Sequence, residues 1–454
     1  MRYHFIGIGG AGMSGIAHLL LAGGEEVTGT DLKSGRNTDV LVAAGARINV
    51  PHDPAMVEGA DIVVVSSAIP AAEPELVRAQ ELGLAIIERG AMIPRLAAGK
   101  RTIAVAGTHG KTTTTSLAVS AFVGAGADPT YLVGGELNDS GTNAGTGRGR
   151  HFICELDESD GSFLEVKPDV AVVTNVDADH LDFYGSEARV HEYFHRFLAA
   201  VPEDGKIVAC AEDAGLRAVV EGIGRHVLSY GFQAACDYRA EIISEGEVNR
   251  VRISYPGGGV EIGLAVPGAH NALNAAGAFG AAHCEGLDAE AIATGLTGFR
   301  GVKRRFERLG QYSGAEIVDD YAHHPSEVMA TLAAARTVAD GEIVAVFQPH
   351  RYTRTLRLAD QFGAAFGAAD SVLVTDIYGA GEEPIPGVTG ELIHRAVLSR
   401  GKKTRYIPHR RSLLEYVADR AQAGQLILFM GAGDIRLAGE ELAAWGRQGG
   451  GPRG

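Results

Sequence analysis

The sequence predicts an α/β protein of three domains, and three observations support that prediction. The 454 residues fit three domains at a prior of roughly 150 residues for each. The apolar runs are short and continuous rather than alternating, as in strands that are buried on both faces of a parallel sheet. Many of the 62 glycines follow such runs directly, which is typical of strand–turn–helix units.

The predicted elements fall into three stretches, each of which opens with a strand and a helix. The opening strands are predicted at residues 3–9, 101–107 and 315–321, and their helices at residues 13–21, at 112–123 and from Pro325 onward. Further strands are predicted at residues 26–31, 61–67, 85–88, 151–157, 169–176, 206–211, 342–348, 371–377 and 425–430. Residues 238–254 and 260–266 alternate polar and apolar side chains around a turn at 256–259, which predicts an antiparallel hairpin.

Charge and cysteine content exclude several classes of function. The formal net charge of −15 argues against non-specific binding to nucleic acid or to anionic membranes. No apolar run approaches the ~18 residues that a membrane span needs, and the chain opens on a strand pattern rather than a targeting signal. The four cysteines form no C-x-x-C pair, so we expect a reduced, cytoplasmic setting. The Gly/Pro-rich tail at 449–454 predicts disorder.

The first glycine motif lies between the first strand and its helix. Gly7, Gly9 and Gly12 match G-x-G-x-x-G, and Asp31 ends the next predicted strand. Glycines permit a tight turn there, and the following helix N-terminus can hold a diphosphate. NAD or FAD is one interpretation, and a diphosphate of another kind fits the same turn equally well.

A second glycine-rich turn opens the middle stretch and reads GTHGKTTTT at residues 107–115. Its backbone N–H groups can cradle phosphates, with Lys111 reaching the terminal phosphates and the Thr112 hydroxyl on Mg²⁺. The strict phosphate-loop pattern fails at one position, because Val105 stands where the first glycine is expected. We still interpret the turn as an ATP phosphate loop. Its predicted ATP-binding residues are Gly107, Thr108, His109, Gly110, Lys111, Thr112 and Thr113.

Acidic segments end the next two predicted strands, at residues 155–160 and 175–180. Carboxylates and a histidine beside a phosphate loop suit Mg²⁺, although a solvated acidic loop is the alternative. Residues 191–195 also match H-E-x-x-H, the signature of zinc proteases. We interpret that match as an ordinary covering helix, because the pattern supplies no obvious third ligand.

Three further segments carry polar groups at turns. His270, Asn271 and Asn274 open a helix, where asparagine amides could read an adenine edge or simply cap the helix. Residues 319–325 and 347–354 follow strands of the third stretch, and Arg351 and Arg354 there could clamp carboxylates. Plain surface loops are the alternative for that pair of segments.

Together these motifs resemble those of the Mur ligase family, ATP-dependent enzymes that form amide bonds in bacterial cell-wall synthesis. The resemblance rests on GIGGAGMSGIA (7–17), GTHGKTTTT (107–115), GGELNDSGTNA (134–144), ELDESDGSF (155–163), TNVDADHLD (174–182), GAHNALNAA (268–276), RRFE (304–307), DDYAHHP (319–325), FQPHRYTRT (347–355) and GAGDI (431–435). It implies a Rossmann-like UDP-sugar domain at residues 1–99, a central ATP-binding domain at 100–302 and a Rossmann-like amino-acid-side domain at 303–454.

The resemblance also implies a role for each site residue. The UDP-sugar would be bound by Gly9, Gly10, Ala11, Gly12, Met13, Ser14, Asp31, His52 and Ser67. Mg²⁺, or Mn²⁺ in its place, would be held by Thr112, Glu155 and His180. ATP would contact the phosphate loop together with His270, Asn271, Asn274, Arg305 and Asp320. The amino acid and the reacting carboxylate would meet Tyr321, His323, Arg351 and Arg354. The catalytic residues would be Lys111, Glu155, His180, His323 and Arg351.

Within the family, the pattern resembles the alanine-adding branch. Other branches carry a carbamylated lysine in the helix after the TNVDADHLD-like motif, whereas the comparable segment here, ARVHEYFHRF, has none. This implies an enzyme that activates UDP-N-acetylmuramate with ATP and joins it to L-alanine, working as a monomer or weak homodimer. The alternatives are a ligase for preformed peptides, a folylpolyglutamate synthetase, an NAD-dependent oxidoreductase and a non-catalytic nucleotide-binding module.

Overall fold

The computed structural model describes residues 1–66 and 68–448, with Asp182 described by its backbone alone. Ser67 and the tail at 449–454, for which binding and disorder were predicted, lie outside the described residues. The strands are β1 (Arg2–Ile6), β2 (Glu26–Thr30), β3 (Arg47–Asn49), β4 (Ile62–Val65), β5 (Ala85–Glu88), β6 (Arg101–Ala106), β7 (Thr130–Leu132), β8 (Ala144–Gly145), β9 (His151–Glu155), β10 (Val170–Val173), β11 (Lys206–Cys210), β12 (Val227–Gly231), β13 (Tyr238–Ser244), β14 (Asn249–Tyr255), β15 (Gly258–Leu264), β16 (Glu307–Tyr312), β17 (Ala315–Asp320), β18 (Ile343–Phe347), β19 (Ser371–Val374), β20 (Lys403–Tyr406) and β21 (Leu426–Met430).

The helices cover the faces of the sheets that these strands form. They are α1 (Ala11–Ala22), α2 (Arg36–Ala43), α3 (Pro74–Glu81), α4 (Met92–Leu96), α5 (Lys111–Gly124), α6 (Leu181–Tyr184), α7 (Glu187–Ala199), α8 (Ala214–Val220), α9 (Ala269–Cys284), α10 (Ala289–Gly298), α11 (Pro325–Val338), α12 (Tyr352–Ala365), α13 (Glu391–Ser399), α14 (Arg410–Ala418) and α15 (Arg436–Gln448). Two short 3₁₀ helices lie at Pro54–Val57 and Ser162–Glu165. No helix in the described part of the chain is long and apolar enough to cross a membrane.

The chain divides into two compact units. The first comprises Met1–Glu241, Val251–Gly263 and Ala272–Arg300. The second comprises Ile242–Arg250, Leu264–Asn271 and the described chain from Gly301 onward. Three separate sheets confirm the α/β class predicted from the apolar runs. The domain boundaries at residues 99/100 and 302/303 stay predictions.

The first sheet has five strands in the order β3-β2-β1-β4-β5, and every pairing in it is parallel. A core that includes Ile6, Val63 and Ala79 lies against one face. Because β1 lies between β2 and β4, the chain reverses its direction of winding beside β1. Ligands of open parallel sheets bind at such a point, outside the carboxyl ends of the strands. The glycine turn after β1 lies at that place.

The second sheet has ten strands in the order β15-β14-β13-β12-β11-β10-β6-β9-β7-β8. Its centre is parallel, with β6 between β10 and β9, so the residues that follow these three strands emerge at one edge. Two neighbouring strands, β14 and β15, flank the turn predicted at 256–259, but the single first arm predicted at 238–254 is wrong, because those residues form two strands, β13 and β14. Gly246, at φ +152°, breaks that arm, and its amide donates to Asn249 Oδ1 at 3.3 Å. Local turn chemistry therefore interrupts the polar–apolar alternation.

The third sheet has six strands in the order β16-β17-β21-β18-β19-β20. β16 and β17 form an antiparallel pair, and the other pairings are parallel. Successive residues of β21 face opposite sides of the sheet: Leu428 belongs to one core cluster and Phe429 to the other. Burial on both faces explains why these strands read as continuous apolar runs.

Candidate active site

The turn after β1 brings together six of the predicted UDP-sugar residues, Gly9 to Ser14, at the start of α1. Gly7 has φ +79°, a left-handed conformation that favours glycine, and its amide donates to Thr30 O at 2.9 Å. Gly10 caps α1 without a side-chain hydrogen bond. The Gly9 amide donates to Asp31 Oδ2 at 2.8 Å, so this second predicted segment meets the turn directly.

The same edge of the first sheet carries His52, which follows β3. Its Nδ1 lies 2.7 Å from Thr30 Oγ1, and its side chain is largely buried. Arg89, which sequence reasoning missed, follows β5. A Cβ built on Gly12 would lie 2.8 Å from Arg89 Nη1, so the guanidinium lies against the first turn of α1. The signal that could have found it is a basic residue at the carboxyl end of a parallel strand.

The phosphate loop follows β6 and turns through two glycines in left-handed conformations. Gly107 has φ +131°, and a Cβ there would lie 2.1 Å from Thr174 Oγ1. Gly110 has φ +81°, and a Cβ there would lie 2.9 Å from Asn274 Oδ1. No residue but glycine fits either position without strain.

Residues that follow β10 hold the rest of the loop. The His109 amide donates to Asn175 Oδ1 at 2.8 Å, and the Asp177 amide donates to Thr108 Oγ1 at 2.9 Å. The His109 ring also lies 3.1 Å from an Asp177 carboxylate oxygen. These bonds fix the phosphate loop to the acidic segment that the sequence placed beside it.

Lys111 begins α5 and points back over its own loop. Its Nζ donates to Gly107 O at 2.6 Å and to Thr108 O at 3.1 Å. It also lies 2.7 Å from a carboxylate oxygen of Glu158, which is 2% exposed. Sequence reasoning gave Glu158 no role of its own, since it read the whole 155–160 segment as one acidic cluster.

The carboxylates around Lys111 differ in proton affinity. Burial raises the pKa of Glu158 to about 7 despite the neighbouring Lys111 ammonium. Burial would also raise the pKa of Asp157, but Arg89 and Lys111 together hold it well below its usual range. Burial would lower the pKa of Lys111, but Glu158 and Asp157 raise it, so the lysine is positively charged. The phosphate loop therefore carries one permanent positive charge, that of Lys111, surrounded by acidic side chains.

Thr112 and Glu155, two predicted metal ligands, are in direct contact. Thr112 Oγ1 donates to Glu155 Oε1 at 2.9 Å, and the Gly134 amide donates to Glu155 Oε2 at 2.7 Å. His180, the third predicted ligand, has φ +53°, and its Nε2 lies 3.9 Å from Glu158 Oε1. A hydroxyl and a carboxylate at this spacing are hard oxygen ligands of the kind that Mg²⁺ prefers.

The predicted adenine residues open α9. Asn274 lies beside Gly110 of the phosphate loop, and its contact with adenine stays a prediction. Asn271 Nδ2 donates to Pro267 O at 2.7 Å, which ties its amide to the turn before α9. Burial and the charge of Arg305 lower the pKa of His270 to about 4, so its ring is neutral.

The second unit gathers the residues predicted for the amino-acid side after β17 and β18. The Tyr321 ring lies between two guanidiniums, with Arg304 at 4.7 Å and Arg305 at 5.2 Å from its centre. His323 Nδ1 donates to Tyr321 O at 2.9 Å. Asp320 is buried and accepts hydrogen bonds from the Phe306 and Ala322 amides, both at 2.8 Å, so its predicted contact with ribose stays a prediction.

The two predicted carboxylate-binding arginines lie at the start of α12. Arg351 has φ +69°, and its amide donates to Tyr378 O at 2.8 Å. Arg354 Nη1 donates to His350 Nδ1 at 3.2 Å. Burial first, and then His323 and the neighbouring arginines, lower the pKa of His350 to about 3. Non-glycine residues in left-handed conformations, such as Arg351 and His180, tend to cluster at functional sites.

The H-E-x-x-H segment lies on α7. That helix buries Val190, Phe194, Phe197 and Leu198 on one face, at the spacing of a helix that covers a sheet. His195 lies on the exposed side. The packing agrees with a covering helix, as interpreted from the sequence.

A phosphate loop beside the ends of two parallel strands, followed by a second α/β unit with a basic cluster, defines a class of ATP-dependent enzyme. Family profiles match residues 2–101 (Mur ligase family, catalytic domain), 105–282 (Mur ligase middle domain) and 304–433 (Mur ligase, glutamate ligase domain). The chain belongs to the Mur ligase family.

Several members of the family are similar to this chain over nearly its whole length. UDP-N-acetylmuramate–L-alanine ligase from Mycolicibacterium vanbaalenii is 45% identical over 98% of this chain and 96% of its own. The same enzyme from Pelotomaculum thermopropionicum is 46% identical over 97% and 96%. The crystal structure of UDP-N-acetylmuramate–alanine ligase from Thermotoga maritima has a TM-score of 0.84 at 30% identity, covering 99% of this chain and 100% of that one.

A murein peptide ligase from Psychrobacter arcticus is also similar. Its TM-score is 0.74 at 25% identity, over 98% of both chains. The likeness to this peptide-attaching relative is smaller than the likeness to the alanine ligases in both identity and superposition.

Proposed function

We propose that this chain is an ATP-dependent ligase that joins L-alanine to the lactoyl carboxylate of UDP-N-acetylmuramate, in the cytoplasmic synthesis of peptidoglycan precursors. The observation that carries the proposal is the phosphate loop, where Lys111 and Thr112 lie beside Glu158 and Glu155. It occurs in a chain that is 45% identical, over nearly its whole length, to a ligase of that name.

The phosphate loop binds the ATP phosphates through its backbone amides. Lys111 turns from Glu158 and the loop carbonyls toward the terminal phosphates, where it neutralises the charge that develops during transfer. Thr112 and Glu155 hold Mg²⁺, or Mn²⁺ in its place, with His180 as a further ligand. The metal ion supplies a Lewis acid that screens the phosphate oxygens. The existing contact between Thr112 and Glu155 supports this assignment, because it brings a hydroxyl and a carboxylate oxygen within 2.9 Å of each other.

The first glycine turn holds the diphosphate of the UDP-sugar. The segment from Gly9 to Ser14 lines the diphosphate. Backbone amides in the first turn of α1, from Ala11 to Met13, are the donors, and the helix dipole adds a favourable field. Asp31 and His52 contact the uridine end of the ligand. Sequence reasoning left NAD as an alternative for this turn, but an oxidoreductase has no use for the phosphate loop.

The second unit serves the reacting groups. Arg351 and Arg354 bind carboxylates, because a guanidinium group is planar, always charged and able to donate two parallel hydrogen bonds. Tyr321 and His323 contact the amino acid. Arg305 reaches a phosphate, His270 lies by the adenine, and Asp320 binds the ribose. Asn274, which belongs to the first unit, is also assigned to the adenine.

The chemistry follows from the weakness of a carboxylate as an acylating agent. The lactoyl carboxylate attacks the terminal phosphorus of ATP and releases ADP, which gives an acyl phosphate. The amine of L-alanine attacks the acyl carbon, and phosphate leaves from the tetrahedral intermediate. Exclusion of water protects the acyl phosphate from hydrolysis.

Phosphate release tests the proposal directly. Purified protein with ATP and Mg²⁺ is expected to release phosphate only when UDP-N-acetylmuramate and L-alanine are both present. Turnover with a preformed tripeptide instead of L-alanine would indicate a murein peptide ligase. Reduction of NAD, or nucleotide binding without turnover, would indicate the two remaining alternatives. Sedimentation of the active protein tests the expectation of a monomer or weak homodimer.

A further inference from the structure

A buried polar network lies beneath the first glycine turn. Its centre is Glu75, in the first turn of α3, whose side chain has no exposed surface. Four groups approach its carboxylate. They are the Asp53 amide at 2.6 Å, Thr30 Oγ1 at 2.7 Å, His4 Nε2 at 3.2 Å and His52 Nδ1 at 3.4 Å. His52 is the residue assigned above to the uridine end of the ligand, whereas nothing so far gives Glu75 a role.

The carboxylate of Glu75 is ionised in this network. Burial alone would raise its pKa, but hydrogen bonds from His4, Thr30 and the Asp53 amide lower it. An ionised carboxylate has no proton to give and only accepts hydrogen bonds. The single hydroxyl proton of Thr30 must therefore point at Glu75.

The direction of the Thr30 hydroxyl also determines which nitrogen of His52 carries the ring proton. With its proton committed to Glu75, Thr30 Oγ1 can act toward His52 only as an acceptor. The distance of 2.7 Å between Thr30 Oγ1 and His52 Nδ1 then requires Nδ1 to be the donor. In a neutral imidazole the other nitrogen, Nε2, carries the lone pair. Nε2 lies on the far side of the ring from the buried network, and the His52 side chain is 12% exposed.

We propose that Glu75 is a positioning residue of the UDP-sugar site: through Thr30 it fixes the His52 proton on Nδ1, so that Nε2 accepts a hydrogen bond from an N–H or O–H of the uridine. The inference rests on the proposed function for the identity of the ligand alone. Two groups of uridine have the required chemistry, the imide N3–H of the base and the ribose hydroxyls. In protein sites, the hydrogen-bond partner of one histidine nitrogen commonly determines which nitrogen is left to bind the ligand.

The ring proton can be observed in the ligand-free protein, without any variant. In ¹⁵N-histidine-labelled protein, with the His52 signals assigned by their loss in His52→Gln, we expect Nδ1 to carry the proton. A proton on Nε2 would overturn the inference. This measurement does not depend on the proposed function, because no substrate is added.

Glu75→Gln tests the cause. The amide of glutamine can donate to Thr30, which frees the Thr30 hydroxyl to donate to His52 Nδ1 and moves the ring proton to Nε2. We expect that shift in the spectrum and about a tenfold loss of affinity for UDP-N-acetylmuramate by calorimetry. Asp53→Asn is the matched control, since only the backbone amide of Asp53 donates to Glu75, whereas its side chain accepts from the Ala55 amide and an asparagine oxygen can do the same. It should keep both the tautomer and the affinity.

Two analogues identify the group that His52 contacts. Wild-type protein should bind either 3-methyl-UDP or 2′,3′-dideoxy-UDP about tenfold more weakly than UDP, according to which donor is used. Glu75→Gln should bind that analogue and UDP alike. The inference is wrong if neither analogue loses affinity, if Glu75→Gln keeps the wild-type tautomer, or if Asp53→Asn loses affinity as severely. Failure of wild-type protein to bind any uridine ligand would instead refute the proposed function, and with it the ligand named here.

Discussion

The two glycine turns of the first unit, at residues 7–12 and 107–112, share a backbone design and differ in where their charges come from. Each follows a parallel strand flanked on both sides and leads into a helix. The second turn carries its own cation, Lys111, within reach of Glu158. The first has no cation in the turn. Its charged neighbours are Asp31, which accepts from Gly9, and Arg89, which lies against Gly12.

The difference in charge matches two different tasks, binding a phosphate group and transferring one. A diphosphate that is only bound needs backbone donors and a helix dipole, which glycine and the start of a helix supply. A phosphoryl group that is being transferred needs a cation at the point where negative charge develops in the transition state. A buried glutamate lies close to each turn, and the two are tuned in opposite directions. The pKa of Glu75 is lowered by its hydrogen-bond donors, whereas burial raises that of Glu158 to about 7.

The largest effect is expected from the cation of the second turn. Lys111→Ala should lower ligase turnover by about 10²–10³-fold or more, since it removes charge stabilisation from the transfer step. It also leaves Glu158 buried without its partner, so the melting temperature should fall. The double variant Lys111→Ala/Glu158→Gln should recover the melting temperature but not the turnover. Near-normal turnover in Lys111→Ala would refute the assignment of the phosphate loop.

A smaller effect is expected at the first turn. A Cβ on Gly9 would lie 2.9 Å from Asp31 Oδ2, so Gly9→Val should displace the turn and weaken UDP-N-acetylmuramate binding by about tenfold to a hundredfold. Affinity for ATP alone should not change. Gly298→Ala, where the added Cβ meets nothing within 4 Å, is the control. Calorimetric titration of each ligand measures both outcomes, and equal losses for the two ligands would contradict the division between the turns.

Arg351 lies in the other unit, so a variant there tests whether UDP-sugar affinity and ligase turnover can be changed independently. Arg351→Lys should keep UDP-N-acetylmuramate affinity in the absence of ATP and alanine, yet lower turnover by about tenfold, because lysine cannot reproduce a bidentate contact with a carboxylate. Steady-state kinetics and titration of the same preparation check the two halves. A loss of UDP-sugar affinity as large as in Gly9→Val would show that the assignment of substrates to the two units is wrong.

The smallest effect concerns the two buried glutamates. The pKa of Glu75 is lowered in the folded protein, so its stabilisation is present above the unfolded pKa and is lost as pH falls. Glu75→Gln should therefore flatten the acid side of the stability profile. The raised pKa of Glu158 means that stability falls as pH rises from about 4 toward about 7, and Glu158→Gln should remove that fall. The Glu75 slope lies below about pH 4 and the Glu158 slope above it, so denaturant unfolding of the metal-free variants from about pH 2 to about pH 8 would detect slopes of opposite sign.

Most buried strands could be predicted from the sequence, and most edge strands could not. β1, β6 and β21 are continuous apolar runs, because both faces of each are covered. β3 (Arg47–Asn49) and β8 (Ala144–Gly145) are two or three residues long and carry no apolar run. Their extended backbone depends on pairing with β2 and β7, which is information from outside the segment.

The candidate site divides in the same way. That Lys111 and Thr112 share one turn beside the acidic segment at 155–160 could be predicted, because phosphate binding needs a fixed local spacing of glycine, lysine and threonine and the two strands run in parallel. Glu75 could not be, since its partner His4 is 71 positions away and no local pattern joins them. A lysine at a strand-to-helix turn also reads as exposed, yet Lys111 is largely buried against Glu158. Burial of charge is decided by neighbours distant in sequence.

Arg89 and Asp157 make the two glycine turns thermodynamically interdependent. Arg89 lies against Gly12 and donates to Asp157 at 2.8 Å, while Lys111 of the other turn acts on the same carboxylate. One acidic group, Asp157, is thus shared by a cation beside each glycine turn. Any ligand that draws either cation toward its phosphates changes the field at the other site. Linkage then requires symmetry: the factor by which UDP-N-acetylmuramate changes the affinity for ATP equals the factor by which ATP changes the affinity for UDP-N-acetylmuramate.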